Sequence, residues 1–195
     1  VSRFQRQPIN AFKKVIAPNG ERILLHASNF RKIKRVQDVV KIFAEVNKQI
    51  PSKLLFVGDG PERSTAEDLA RELGVCDEIQ FVGKQEQMED ILPIADLFLL
   101  TIEYESFGLA ALEAMAAEVP VISTNAGGLP EININGFCGY MSDVGDVADM
   151  SKNALHILQD DATLQKFKTN ALTQAKKFDI ENIVPLYEAL YQRVI

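Results

Sequence analysis

The stretch KLLFVGDGPERSTAEDLARELGVCDEIQFVG, residues 53–83, decides the fold. Its two ends, 53–58 and 78–83, are short and nearly continuous apolar runs. Between them Ala66, Leu69, Ala70 and Leu73 recur at the spacing of one helix face. Gly74 then stops that pattern, as a glycine does just past a helix end, where the backbone turns left-handed. Strand, helix and strand in this order form a crossover unit, which joins parallel strands. Runs that are continuous rather than alternating suit strands covered on both faces.

The same alternation extends in both directions. RILLHAS (22–28), DLFLLT (96–101) and VPVIST (119–124) complete five strand candidates. Val36, Val39, Val40, Phe43 and Val46 mark another helix face, a shorter helix is expected over 87–94, and 147–159, 162–177 and 181–193 read as closing helices. Residues 1–20 read as a leader ended by the turn Pro18-Asn19-Gly20, which leaves 21–195 as the domain. The expected class is α/β, a Rossmann-like doubly wound parallel sheet with helices on both faces. Such sheets bind ligands beyond the carboxyl ends of their strands.

Composition narrows the function. With 195 residues the chain can build one sizeable core. A net charge of −6 argues against a general nucleic-acid binder. No apolar run approaches the ~20 residues of a membrane span. VSRFQRQPIN lacks the apolar segment of a signal peptide. Cys76 and Cys138 form no metal-ligand spacing and read as two small buried hydrophobes, which fits a cytoplasmic setting.

The loops after the strands carry the chemistry. After the first strand, Arg31, Lys32, Lys34 and Arg35 crowd the start of the next helix, where the dipole disfavours cations. A docked anion would reverse that penalty; a solvated basic patch is the alternative. After the second strand, Gly58-Asp59-Gly60 allows close backbone approach, or is a plain turn. It is not the GxGxxG of a dinucleotide site. After the fourth, Ser106 is the expected N-cap of a helix starting near Phe107, with the amides of Phe107, Gly108 and Leu109 free at its end. Within that helix Glu113 has only Leu109, Ala110, Ala116 and Ala117 one turn away. A buried carboxylate needs a donor from elsewhere: a ligand hydroxyl, a distant arginine, a backbone turn or water. After the fifth strand, Gly127-Gly128 is a candidate anion-binding concavity.

Taken in order, ESFGLAALEAMAAEVPVISTNAGGLPE (105–131), with its E-x7-E pair Glu105 and Glu113, resembles the signature of family-four retaining glycosyltransferases of the GT-B fold. KLLFVGDGPER and a lysine ahead of the first long helix fit as well, so the resemblance covers residues 20–195. It implies that the chain is the carboxyl-terminal half of a GT-B fold, the half that binds the nucleotide-sugar donor. By resemblance Glu105 and Lys34 are the catalytic residues, facing the donor sugar and the diphosphate. Glu113 would hold the ribose hydroxyls. Phe107, Gly108 and Leu109 would offer amides to sugar and phosphate, and Val82, Gly83 and Lys84 backbone groups to the base. Gly58, Asn29, Arg31 and Lys32 complete the implied donor site.

Two positions depart from the family pattern. Ser28-Asn29 replaces Gly-Arg, which leaves Arg31 or Lys32 to stand in for the phosphate-binding arginine. Glu118 replaces a glycine before the fifth strand. SNFRKIKRVQDVV (28–40) with LLFVGDGPE is most similar to the N-acetylglucosaminyl L-malate synthases of bacillithiol biosynthesis, where Asn-Phe-Arg-Lys is usual. That similarity implies UDP-N-acetylglucosamine as donor, L-malate as acceptor bound by a further, amino-terminal domain, and no metal or other cofactor. The rival reading is a non-catalytic glycosyltransferase-like partner domain, motivated by Asn29 and Glu118. In the tail, Ile180, Val184, Tyr187, Leu190 and Tyr191 have the spacing of a core-facing helix. The resemblance implies instead that part of this face packs toward the other domain, which could promote a homo-oligomer.

Overall fold

The computed structural model describes residues 1–4 and 10–194. Six parallel strands form one sheet: β1 (Arg22–Ser28), β2 (Ser52–Gly58), β3 (Ile79–Phe81), β4 (Leu97–Leu100), β5 (Val121–Thr124) and β6 (Gly139–Ser142), in spatial order β3-β2-β1-β4-β5-β6. The first five coincide with the five apolar runs. The sixth, GYMS, was not expected: it opens on glycine and has no β-branched residue to mark it.

The apolar runs are continuous because consecutive residues face opposite sides, and both sides are covered. Ile23 and Leu25 enter one core, Leu24 the other; Phe98 and Leu100 part from Leu97 and Leu99 in the same way. On one face lie α2 (Val36–Asn47), α3 (Arg63–Glu72) and α7 (Val147–Leu158). The expected α2 stripe, Val36, Val39, Val40, Phe43 and Val46, is fully buried there. On the other face lie α4 (Met88–Ile91), α5 (Leu109–Ala116) and α6 (Leu129–Ile132). Helix α8 (Asp161–Lys176) serves both cores, with Leu164 and Phe167 on one side and Ala171 and Ala175 on the other.

Four expectations change in detail. Residues 1–20, read as a leader, include α1 (Asn10–Ile16), and Ile16 and Ala17 are buried in the core against which Val1, Phe4 and Phe12 also pack. Cys76 is exposed rather than buried, because it lies in the turn after α3; Cys138 is buried, and both are free thiols. The last helix, α9 (Ile180–Val194), does not face the core: Ile180, Val184, Leu186, Tyr187, Leu190 and Tyr191 are all exposed. The periodicity is real, but α8 already closes the sheet and nothing among the described residues covers α9.

The fourth concerns α5. It begins at Leu109, not Phe107, and Ser106 makes no capping bond; the N-cap is Gly108 at φ 96°. Leu129 and Ile132 pack so close to Gly108 that a Cβ there would lie 2.7 Å from Leu129. Its other end explains Glu118. The Val119 amide donates to the Ala114 carbonyl (2.9 Å) and the Glu118 amide to that of Met115 (3.1 Å), the paired bonds of a Schellman end. Glu118 therefore occupies the left-handed position, at φ 61°.

Candidate active site

β1 leads outward through β2 to β3, whereas β4 leads the opposite way through β5 to β6. The loops after these two central strands diverge, and the crevice between them is where such sheets bind ligands. Backbone pairing between β1 and β4 covers only Leu24–Leu97 and Leu25–Phe98. Beyond it, a side-chain and a backbone hydrogen bond hold the two loops together. Thr101 is buried and its hydroxyl donates to the Lys34 carbonyl (3.0 Å), while the Glu103 amide donates to the carbonyl of Ile33 (3.0 Å).

In the β1 loop, Phe30 turns inward and is fully buried, leaving Asn29 and Arg31 exposed on either side. Lys32–Lys34 then form one turn of 3-10 helix, and Arg35, at φ 47°, caps α2. The four cations do not act as one cluster. Arg35 is claimed by Asp38 (2.6 Å) and Glu103 (3.2 Å). The Lys34 ammonium lies 3.5 Å from the Glu105 carboxylate, so the two residues singled out as catalytic meet across the crevice. Arg31 and Lys32 make no ion pair among the described residues, which leaves them for an anion. Asp38 thus offsets much of the repulsion that the sequence suggested at this helix start.

In the β4 loop, the amides of Phe107, Gly108 and Leu109 donate to no group among the described residues. Glu113 sits one turn into α5, half-buried, its carboxylate without a hydrogen bond or ion pair among the described residues. Burial raises its pKa; the Arg3 charge opposes this and the Glu89 charge adds to it. Among the described residues no hydrogen bond or ion pair joins Glu113 to Lys34 or Glu105. At the β3 end the Val82 amide is committed to Phe56 (3.0 Å) and the Gly83 carbonyl to the Gly58 amide (2.8 Å). Lys84 is exposed and the Gly83 amide donates to no described group.

A second row of loops backs the first. At Gly58, φ 118°, a Cβ would lie 1.8 Å from the Ser28 carbonyl oxygen, and at Gly60 2.1 Å from that of Asn29. At Gly127 it would lie 1.8 Å from the Glu105 carbonyl oxygen. The Gly128 amide donates to that same oxygen (2.8 Å), so this glycine pair is a buttress for the β4 loop rather than the open concavity expected of it.

Sequence reasoning passed over His26, Thr101 and Glu103, and gave Ser28 no role beyond its departure from the family pattern. A signal for the first was present: a histidine inside an apolar strand must find partners for both ring nitrogens. Among the described residues no group of three or more His, Cys, Asp or Glu is placed to hold a metal, and no helix is long and apolar enough to cross a membrane. A cavity of about 930 Å³ lies between α2 and α7, lined by residues such as Gln49, Tyr140 and His156, away from these loops.

Comparison with known proteins shows the family and the fold. Residues 9–174 match the family model for glycosyl transferases group 1. N-acetyl-alpha-D-glucosaminyl L-malate synthase of Bacillus anthracis is 42% identical over 98% of this chain, which spans 51% of that enzyme. The 2-deoxystreptamine N-acetyl-D-glucosaminyltransferase of Niallia circulans is 30% identical over 76% of the chain and 40% of its own length. Among solved structures, Anabaena HepE in complex with UDP superposes with a TM-score of 0.88 at 20% identity, over 98% of this chain and 55% of that one. Sucrose-phosphate synthase from Thermosynechococcus elongatus gives 0.83 at 25% identity, over 98% and 50%. The chain thus corresponds to half of a GT-B fold and spans about half the length of the relative it matches over nearly its whole length.

Proposed function

We propose, from the premise that this chain belongs to the group 1 glycosyl transferases, that it is the donor-binding half of a retaining enzyme. Its donor is UDP-N-acetylglucosamine and its acceptor L-malate; the name of the B. anthracis relative supports the sugar and the acceptor, and the UDP complex of HepE the nucleotide. The observation that carries this reading is the meeting of Lys34 and Glu105 at the crevice between β1 and β4. Beside them stand the unpaired cations Arg31 and Lys32 and the free amides at 107–109.

The chemistry is leaving-group departure. The bond from the anomeric carbon to the diphosphate oxygen breaks, and the acceptor hydroxyl oxygen bonds to that carbon on the same face. The acceptor proton passes to the departing phosphate oxygen. Lys34, with Arg31 or Lys32, stabilises the charge that develops on the diphosphate. The amides at the start of α5 add fixed dipoles of the same sign. Glu105 orients the sugar ring, Glu113 holds the ribose hydroxyls, and Val82, Gly83 and Lys84 meet the base with backbone groups. These contacts use no metal.

The acceptor is bound by a second domain outside these 195 residues, and closure of two domains over the crevice is what positions the attack. The isolated chain therefore binds donor weakly with little turnover, in a reducing cytoplasm where Cys76 and Cys138 stay thiols. Thermal unfolding with UDP-, GDP- and ADP-sugars tests the reading. A rise in melting temperature with the uridine compounds supports it; a folded chain indifferent to all three sinks it.

A further inference from the structure

We propose that His26 is a positioning residue for the donor diphosphate, setting the backbone of Ser28–Arg31 from beneath through the Ser28 hydroxyl. This rests on the donor-site reading above.

His26 is fully buried on β1, where pairing with β4 has just ended. Its Nδ1 lies 2.9 Å from the Leu99 carbonyl oxygen and its Nε2 2.8 Å from Ser28 Oγ. A carbonyl can only accept, so Nδ1 carries the proton. Nε2 is then an acceptor, and the Ser28 hydroxyl donates to it. With its proton so placed, Ser28 Oγ accepts the Phe30 amide at 3.2 Å. Every hydrogen in this chain has a defined direction, running from the end of β4 to the β1 loop. Burial holds the imidazole pKa down to about 4; the Leu99 bond opposes this and the Lys34 charge adds to it. The ring is therefore neutral at pH 7 and keeps one tautomer.

The residue at the end of this chain needs holding. Phe30 has φ 36°, a conformation that costs a non-glycine residue energy and persists only where surroundings impose it. Three contacts impose it here. Its amide is fixed by Ser28, its carbonyl accepts from the Glu62 amide (2.9 Å), and its ring packs edge-on against Phe56 at 5.5 Å. Because Phe30 points in, Asn29 and Arg31 point out. Gly58 and Gly60 clamp the same turn from outside. A histidine suits the inner clamp because it reaches across two parting strands with a donor at one end and an acceptor at the other. Leucine would leave the Leu99 carbonyl and the Ser28 hydroxyl without these partners.

The test is calorimetric titration of UDP into the wild-type chain and into His26→Leu, His26→Gln and Ser28→Ala, with folding checked by urea denaturation. Losing one oriented hydrogen bond at the hinge of the loop is expected to weaken UDP binding about tenfold in His26→Leu and in Ser28→Ala. His26→Gln, which can still accept from Ser28, recovers most of it. The double variant His26→Leu with Ser28→Ala is no weaker than either single one, because both act through one hydroxyl. UDP also shifts the ring nitrogen resonances of His26, which a histidine confined to core packing would leave in place. Folded variants that bind UDP like the wild type, or additive losses, overturn the proposal. If His26→Leu fails to fold, Ser28→Ala at the partly exposed strand end decides alone. Wild type that does not bind UDP at all overturns the donor reading, and the role of His26 with it.

Discussion

Glu118 and Gly74 occupy the same position in the same motif, and exchanging their side chains measures one quantity twice. Helix α3 ends as α5 does: the Val75 amide donates to Ala70 (2.9 Å) and the Gly74 amide to Arg71 (3.1 Å), with Gly74 at φ 69°. Glu118 adopts φ 61° with a side chain and is exposed, with no ion pair among the described residues. Left-handed backbone costs a residue with a Cβ ~1–2 kcal/mol, and glycine gives back roughly 0.5–1 kcal/mol in unfolded-state entropy. Glu118→Gly should therefore stabilise the chain by about 0.5–1 kcal/mol, or about 1–4 °C in melting temperature for a domain of this size. Gly74→Glu should cost a similar amount. A Cβ at 74 meets nothing within 4 Å, so its penalty is conformational alone. Urea midpoints at constant slope measure both. Glu118→Asn, which tolerates this conformation better, should fall between. UDP affinity should not change, since Glu118 precedes the amino end of β5, opposite the crevice. A Glu118→Gly variant no more stable than wild type would refute the reasoning, because no other cost of glycine is visible there.

The remaining predictions concern the site and its supports. His26 has a folded pKa near 4 against an ordinary 6.5, so the unfolded chain binds the extra proton between those values. Its stabilisation is whole above pH 6.5 and falls by roughly 3 kcal/mol as pH drops toward 4; urea titrations of wild type and His26→Gln should differ by that slope. Glu113 has a raised pKa, so its ionisation destabilises the fold as pH rises out of the ordinary glutamate range. Glu113→Gln should be at least as stable as wild type at pH 7, with no gain at pH 4, while binding UDP more weakly; unchanged affinity would remove the ribose role. Gly58→Ala should unfold the β1 loop or the domain, since its Cβ has no room beside Ser28, and loss of UDP binding with a lowered urea midpoint checks it. A thiol reagent should label Cys76 in the folded chain and Cys138 only after denaturation.

Much of the fold was legible because five of its strands are continuous apolar runs flanked by helices with one clear face. The sixth was hidden by its opening glycine and its lack of a β-branched residue, and α9 misled because helical periodicity does not say which surface will cover it. The site was legible as candidate residues where chemistry is written in side chains: Lys34 and Glu105, named separately, lie together though 71 positions apart. It was illegible where one residue excludes another. Nothing in the run from Ser106 to Leu109 says that Leu129 and Ile132 will crowd Gly108 and delay the helix. Nothing in Gly127-Gly128 says that one amide is already bonded to Glu105.

The double row of loops has a consequence for anyone mapping this site by mutation. Charged residues, the usual targets, lie in the inner row, where a truncated side chain leaves the main chain in place. The outer row presses on the main chain of the inner one at four glycines, Gly58, Gly60, Gly127 and Gly128, each against a backbone oxygen. An alanine scan that skips glycines would score this row as silent. A scan that adds one methyl group at each would draw the outline of the site from behind.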